Sequence, residues 1–456
     1  MRATTLLAAS ISLILATAAH AAPDAAQILR ANAIASGGET LDNKAAMKIE
    51  SAISGQGLTG TDVLVVDLKD GRSLDSSTLG PSSETDGYDG KQAWTEDSSG
   101  TVNIESGGDA LPLAVNNAYR NANLWWRADF GGATVKIGDE KADGDTHYDV
   151  LTITPKDGKP FDAWFDTKTH LLARTIERQG SQTVTVAFSD YRVVEGMQMP
   201  YKTVIDSGNG AKYLQTVTLT KAQFVDAQQD SAYAPPTLTV KDFSIAGGAT
   251  QTQFPFRLIN NHIYTDVAVN GQGPLLFIVD SGGLDILTPA TAKTLGVKVE
   301  GAMPGTGVGD KATDYGLSKV DTLEVGDAIF QHQVLGVLDF VPNAVEGVDI
   351  KGMLGFEVFK RFVTRIDYGA HTITLIDPKS FDPTDAGTPV KFVFNGDLPE
   401  VNGSFDGIPA QFDVDTGARD ELTLTAPFAE SNDLRAKLPH GVETVEGWGA
   451  GGSARG

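Results

Sequence analysis

Residues 271–288 read GQGPLLFIVDSGGLDILT, and residues 407–425 read GIPAQFDVDTGARDELTLT. In each, a glycine-bearing turn leads into an apolar strand, then Asp-Ser/Thr-Gly, then a second apolar run. The two motif aspartates are Asp280 and Asp415. A glycine cluster follows each motif at a comparable remove. Gly305, Gly307 and Gly309 follow the first aspartate, and Gly447, Gly449, Gly451 and Gly452 follow the second. The same elements in the same order mark a duplicated lobe.

The repeated tripeptide has a chemical logic. Two carboxylates about 3 Å apart cannot both ionise, so one keeps a proton and serves as acid while the other serves as base. Such a pair activates a water and protonates a leaving amine. Each aspartate must then leave a buried strand onto a tight loop, which the apolar stretches Leu275 to Val279 and Phe412 to Val414 provide. Asp413 interrupts the second stretch and is expected on the opposite strand face. The hydroxyls of Ser281 and Thr416 are placed to hydrogen-bond across the dyad. Gly282 and Gly417 let two backbones approach with no Cβ between them.

These motifs resemble those of pepsin-like and retropepsin-like aspartic proteases, in their bacterial exported form, over about residues 254–456. The resemblance implies a pepsin-like bilobal β-barrel domain and an aspartic-type endopeptidase with Asp280 and Asp415 as catalytic residues. Ser281, Gly282, Thr416 and Gly417 would support the dyad, with a peptide or protein as substrate and no cofactor or metal. Gly352-Met353-Leu354-Gly355 looks like the family's later hydrophobic-hydrophobic-Gly element, which packs beneath the aspartate loop. The stretch from Gly305 to Leu317, with Gly307 and Gly309, would be the flap. The spacing from Asp280 to Gly355, counted again from Asp415, runs past Gly456. The second lobe is therefore expected to be incomplete, and a homodimer pairing two copies of Asp280 is an open alternative. Val204-Ile205-Asp206-Ser207-Gly208 also satisfies the tripeptide, but Asn209-Gly210 follows instead of an apolar strand, so Asp206 reads as part of a hairpin turn.

Upstream of the duplicated region, residues 1–21 read as a secretory signal: Arg2, the short apolar run Leu6 to Ala16, and the small-x-small site Ala19-His20-Ala21. Export to the periplasm or exterior is expected. Asp24 to Ser36 spaces Ala25, Ile28, Leu29 and Ala33 as an amphipathic helix closed by Gly37-Gly38. From about Lys44 to Val225, short strand-like runs describe an antiparallel meander, interrupted by a helix over Asn116–Trp126. Residues 22–230 resemble the periplasmic lipoprotein-carrier (LolA/LolB-like) fold, a curved antiparallel sheet covered by helices. The pattern rests on Gly87-Tyr88-Asp89-Gly90 before Trp94, and on Phe188-Ser189-Asp190-Tyr191-Arg192 leading to Met199-Pro200. Trp125, Trp126, Trp164 and Phe165 either line a groove for an apolar ligand or fill a core. Residues 231–253 read as a linker, 254–385 as the first protease-like lobe and 386–456 as the second. The fold class is thus mainly β.

Other functions find little support. A formal charge of −23 repels nucleic acid and anionic membrane surfaces. No segment is long and apolar enough to span a membrane. There are 0 cysteines, so no disulfide and no thiolate-based metal site exist. The seven histidines form no His-x-x-x-His pair, and no Gly-x-Ser-x-Gly elbow occurs. Gly-x-Gly-x-x-Gly occurs at Gly55-Gly57-Gly60 and Gly447-Gly449-Gly452, and neither opens a helix. His262 and His332 read as ordinary polar or packing residues, and Asp285 and Asp420, each five residues beyond a motif aspartate, as solvent-facing strand positions at least as well as parts of the site. The rival class is a non-catalytic binding protein, with a carrier-like first domain and protease-like lobes acting as a peptide clamp.

Overall fold

The computed structural model describes residues 23–456 except 106–107, 181, 238–241, 306, 308–312, 340–345, 385, 396–397, 439 and 450. The expected signal segment and Gly309 lie outside the described residues. The chain is mainly β. No helix among the described residues is long and apolar enough to cross a membrane.

Asp24 opens the first helix, Ala25–Ala35, with a reciprocal cap. Its carboxylate accepts from the Gln27 N–H at 2.8 Å, and the Gln27 side chain accepts from the Asp24 N–H at 2.9 Å. The helix buries Ile28 and Leu29 against a meander running from Ala46–Gly55 to Gln215–Val225. Those two strands pair with each other, so the first and last long strands of the meander are neighbours. Inward alternation is clear in Phe161–Asp166, where Phe161, Ala163 and Phe165 are buried and the residues between them are not. The second helix runs over Ala110–Asn121, starting earlier than the sequence implied, and a 3-10 turn at Leu124–Trp126 follows it.

The four aromatics considered as groove residues are taken up by packing. Trp125 and Phe165 sit in the core at 2% and 1% exposure. The Trp126 indole donates to Asn32 at 2.7 Å, and Trp164 packs against Tyr148 and under the Arg174 guanidinium. A cavity of about 470 Å³ opens instead between the helix Ala110–Asn121 and the sheet, where Leu64 and Leu113 meet Asp75, Asp86 and Glu105. The stretch read as a linker is anchored. Tyr233 is fully buried and its carbonyl accepts from the Trp94 indole at 2.9 Å, and Phe243–Ile245 already pairs with Ala328–Gln331. Asp206 ends the strand Met197–Asp206 in a turn, where its carboxylate accepts from the Gly208 N–H at 2.8 Å.

A second sheet carries the first motif. Its order runs Phe243–Ile245, Ala328–Gln331, Thr322–Val325, His262–Val269, Gln272–Val279, Gly352–Leu354, Ile286–Leu287, Val334–Val337, Thr313–Lys319, Glu300–Gly305. The expected closed barrel is replaced by an open path, because the two outer strands do not meet and each edge is covered in another way. Phe243 packs edge-on against Phe362, with ring centroids 4.9 Å apart. At the other edge the Ala302 N–H donates to the Gln56 carbonyl of the N-terminal sheet at 2.8 Å. Phe277, Val279, Leu287, Leu323, Phe330 and Leu375 form its core.

The second motif sits on a smaller sheet of three strands, Phe392–Asn395, Leu398–Phe405 and Ile408–Asp413. Its apolar groups are poorly covered: Val390 is 69% exposed, Phe392 53% and Val414 47%. Among the described residues beyond Ile376, Leu434 is the one buried apolar side chain.

Candidate active site

Asp280 leaves a strand that is paired on both sides. Gln272–Val279 runs antiparallel to His262–Val269 and parallel to Gly352–Leu354. The Asp280 N–H donates to the Leu354 carbonyl at 2.9 Å, so the loop begins fixed to the Gly element, as the sequence reading expected. Gly355 completes that junction. Its N–H donates to the Asp285 carboxylate at 2.6 Å, and the Phe356 N–H donates to the Gly283 carbonyl at 2.9 Å. A Cβ on Gly355 would lie 2.3 Å from the Leu284 carbonyl carbon and 2.4 Å from the Gly283 oxygen, so no larger residue fits.

The two motifs meet in a reciprocal interlock. The Ser281 N–H donates to the Thr416 hydroxyl at 2.9 Å, and the Thr416 N–H donates to the Ser281 hydroxyl at 3.0 Å. Each hydroxyl then donates to the carbonyl preceding the opposite aspartate, Ser281 to Val414 at 3.3 Å and Thr416 to Val279 at 3.2 Å. Within each motif the glycine N–H donates to its own aspartate, Gly282 to Asp280 at 2.9 Å and Gly417 to Asp415 at 2.8 Å. A Cβ on Gly282 would lie 2.7 Å from the Asp415 carboxyl carbon, and one on Gly417 would lie 2.3 Å from that of Asp280. The carboxyl groups therefore face each other across two bare backbones.

The environments of the two carboxyls differ. Asp280 is half-buried and Asp415 exposed. Burial, then the charge of Asp415 and a hydrogen bond with it, pushes the Asp280 carboxyl up to about 7, against the pull of the Gly282 and Gly283 amides. One proton is thus held on the pair well above the ordinary carboxylate range.

Of the residues expected in a flap, Gly305 ends the strand Glu300–Gly305, which pairs with Thr313–Lys319, and Gly307 is exposed. The outgoing strand is held from the N-terminal sheet, where the Lys212 ammonium meets the Asp314 carboxylate at 2.8 Å. Asp285, read as solvent-facing, is 3% exposed, whereas Asp420 is exposed. Burial, reinforced by the Glu357 charge, raises the Asp285 carboxyl to about 7. No local pattern signals this, because its neighbour Gly355 lies 70 residues away. His262 is likewise part of a buried group, its Nδ1 lying 3.1 Å from the Glu346 carboxylate, which also accepts from the Tyr264 hydroxyl at 2.8 Å. Among the described residues no cluster of three or more His, Asp or Glu side chains has the geometry to hold a metal.

Residues 265–358 match the sequence profile of the aspartyl protease family, a span that includes Asp280 and the Gly element. The chain therefore carries an aspartyl protease-like domain. No curated protein matches the chain. Solved structures with partial similarity include a LolA superfamily protein of Nitrosomonas europaea, 10% identical over 44% of this chain and 97% of that one, with a TM-score of 0.32. A DUF1329 family protein of Desulfovibrio piger is 12% identical over 45% and 95%, also at 0.32. The MucA/MucB complex of Pseudomonas aeruginosa is 13% identical over 69% and 93%, at 0.18. Superpositions this loose carry no argument about the present fold, which rests on the strand order above.

Proposed function

We propose that this protein is an aspartic-type endopeptidase in which Asp280 and Asp415 share one proton and activate a water held between them. The observation that carries the reading is the interlock of Ser281 and Thr416, which turns two motifs far apart in the chain into one site with facing carboxyls. In this mechanism the ionised carboxylate takes a proton from the water as the oxygen attacks the peptide carbonyl. The protonated partner donates to the carbonyl oxygen, and the leaving nitrogen is protonated as the tetrahedral species collapses. Burial of Asp280, with the Asp415 charge beside it, keeps the shared proton on the pair up to about 7. Cleavage is expected to decline as pH rises through about 7, where that proton is lost.

An exported enzyme of this kind would act on peptides or proteins outside the cytoplasm. The test is incubation of the full chain with a mixed peptide library at acid and neutral pH, with and without pepstatin. Cleavage abolished by Asp280→Asn and by Asp415→Asn supports the dyad. Cleavage that survives Asp415→Asn points to a homodimer sharing two copies of Asp280. Absence of cleavage at every pH favours ligand capture without catalysis, for which the cavity beside Leu113 and Asp75 provides a place.

A further inference from the structure

A line of charged groups joins the N-terminal sheet to the Asp280 loop, and the proposed hydrolysis does not use it. It starts at Asp97, in the turn that follows the strand Ala93–Glu96. One carboxylate oxygen is occupied within that turn, accepting from the Ser99 N–H at 2.8 Å and the Thr101 N–H at 3.1 Å. The other meets the ammonium of Lys360. Lys360 lies at the end of the helix Phe356–Phe359, and its side chain is only 5% exposed. The same helix begins on the loop of the first motif, through the Phe356 N–H to the Gly283 carbonyl, directly after Gly355.

Charged groups crowd around that helix. Glu357 meets Lys360 at 2.7 Å and Arg361 at 2.7 Å, and Arg361, 1% exposed, also meets Asp242 at 2.7 Å. Two buried cations thus face Asp97, Glu357 and Asp242. Without Asp97, Lys360 would keep only Glu357, which Arg361 already engages, and would lose the carboxylate that ties it to the N-terminal sheet; taking one partner out of a buried ion-pair network is unfavourable. A helix of four residues has no stability of its own to resist the resulting pull toward water.

We propose that Asp97 is a positioning residue for the Asp280 loop: from the N-terminal sheet it holds Lys360, and through the helix Phe356–Phe359 it fixes the Gly355 junction on which Asp280 rests. The N-terminal sheet is then a brace for the site as well as a separate module. The consequence for catalysis rests on the dyad reading above, whereas the structural coupling does not.

Backbone hydrogen exchange on the full chain separates the two. Asp97→Asn keeps an acceptor for Ser99 and Thr101 while removing the charge that Lys360 needs, and Lys360→Met removes the other partner. Both should speed exchange at the Asp280, Gly283, Gly355 and Phe356 amides by about tenfold or more, with the Leu151 and Ile153 amides of the N-terminal core unchanged. Lys360→Arg should restore protection. In a peptide-cleavage assay, Asp97→Asn should lower kcat about tenfold with KM changed by less than about twofold, since substrate contacts are untouched. Unaltered exchange at Asp280 and Phe356 in both variants would overturn the proposal, as would loosening confined to the N-terminal sheet. Altered exchange in a protein that cleaves nothing leaves the brace standing and removes the dyad reading instead.

Discussion

Replacing Thr416 with valine tests the interlock with almost no change of volume. The Thr416 hydroxyl accepts from the Ser281 N–H at 2.9 Å and donates to the Val279 carbonyl at 3.2 Å, so Thr416→Val takes the acceptor from one backbone N–H and a donor from one backbone carbonyl. Each orphaned group costs about 1–3 kcal/mol when buried. Thr416 is half-buried and water reaches part of the site, which sets the combined cost at about 2–4 kcal/mol. The loop carrying Asp415 has little else to hold it, since the exposed Val390, Phe392 and Val414 surround it with a thin core. A loss of that size lowers the population of the joined motifs by about 30-fold to about 800-fold. The reporter is the Thr416 amide, which donates to Ser281 and does not touch the deleted hydroxyl. Its hydrogen exchange should accelerate by about 30-fold or more. Carbon NMR of the Asp280 carboxyl should show its titration moving from about 7 part of the way toward the ordinary range, because opening the motifs relieves its burial and moves the Asp415 charge away. A Thr416 amide that stays protected, together with an unshifted Asp280 titration, would refute the idea that the interlock holds the pair.

Three further outcomes follow from the same geometry. Gly417→Ala places a methyl about where the Asp280 carboxyl lies, at 2.3 Å from its carbon, and should abolish cleavage in a peptide assay while the N-terminal sheet keeps its circular-dichroism signal. Gly355→Ala, blocked by the Gly283 and Leu284 backbone, should lower stability in urea by about 1–3 kcal/mol, the range of an overpacked core. The third concerns pH. Asp280 and Asp285 both keep a proton to about 7 in the folded chain, whereas unfolded aspartates ionise near about 3.9. Between those values the unfolded chain has released protons that the folded chain still holds, so these two groups make stability fall as pH rises from about 4 to about 7, with no further loss from them above that. Asp285→Asn retains an acceptor for Gly355 and removes one titration, so urea unfolding at a series of pH values should show a shallower decline; an unchanged slope would count against a buried, protonated Asp285.

The residues that read most clearly from sequence are those whose signal is local. The spacing of Ala25, Ile28, Leu29 and Ala33 before Gly37-Gly38 marks a one-faced helix, and the alternation of Phe161, Ala163 and Phe165 marks a strand with one buried face. The duplicated strands ending in Asp280 and Asp415 carry their own pattern, and the apolar run in the sequence after each motif but not after Asp206 distinguishes a repeated lobe from a chance tripeptide. Tertiary structure alone decided what those positions would touch. Asp285 is buried because Gly355 arrives from 70 residues away to claim its carboxylate, and Lys360 is buried because Asp97 arrives from the N-terminal sheet. The open sheet, too, follows from which strands reach its edges rather than from any one strand's composition. Periodicity and turn chemistry are fixed by neighbours along the chain, whereas burial, charge matching and the raised carboxyl of Asp280 depend on groups that only folding brings within a few ångströms.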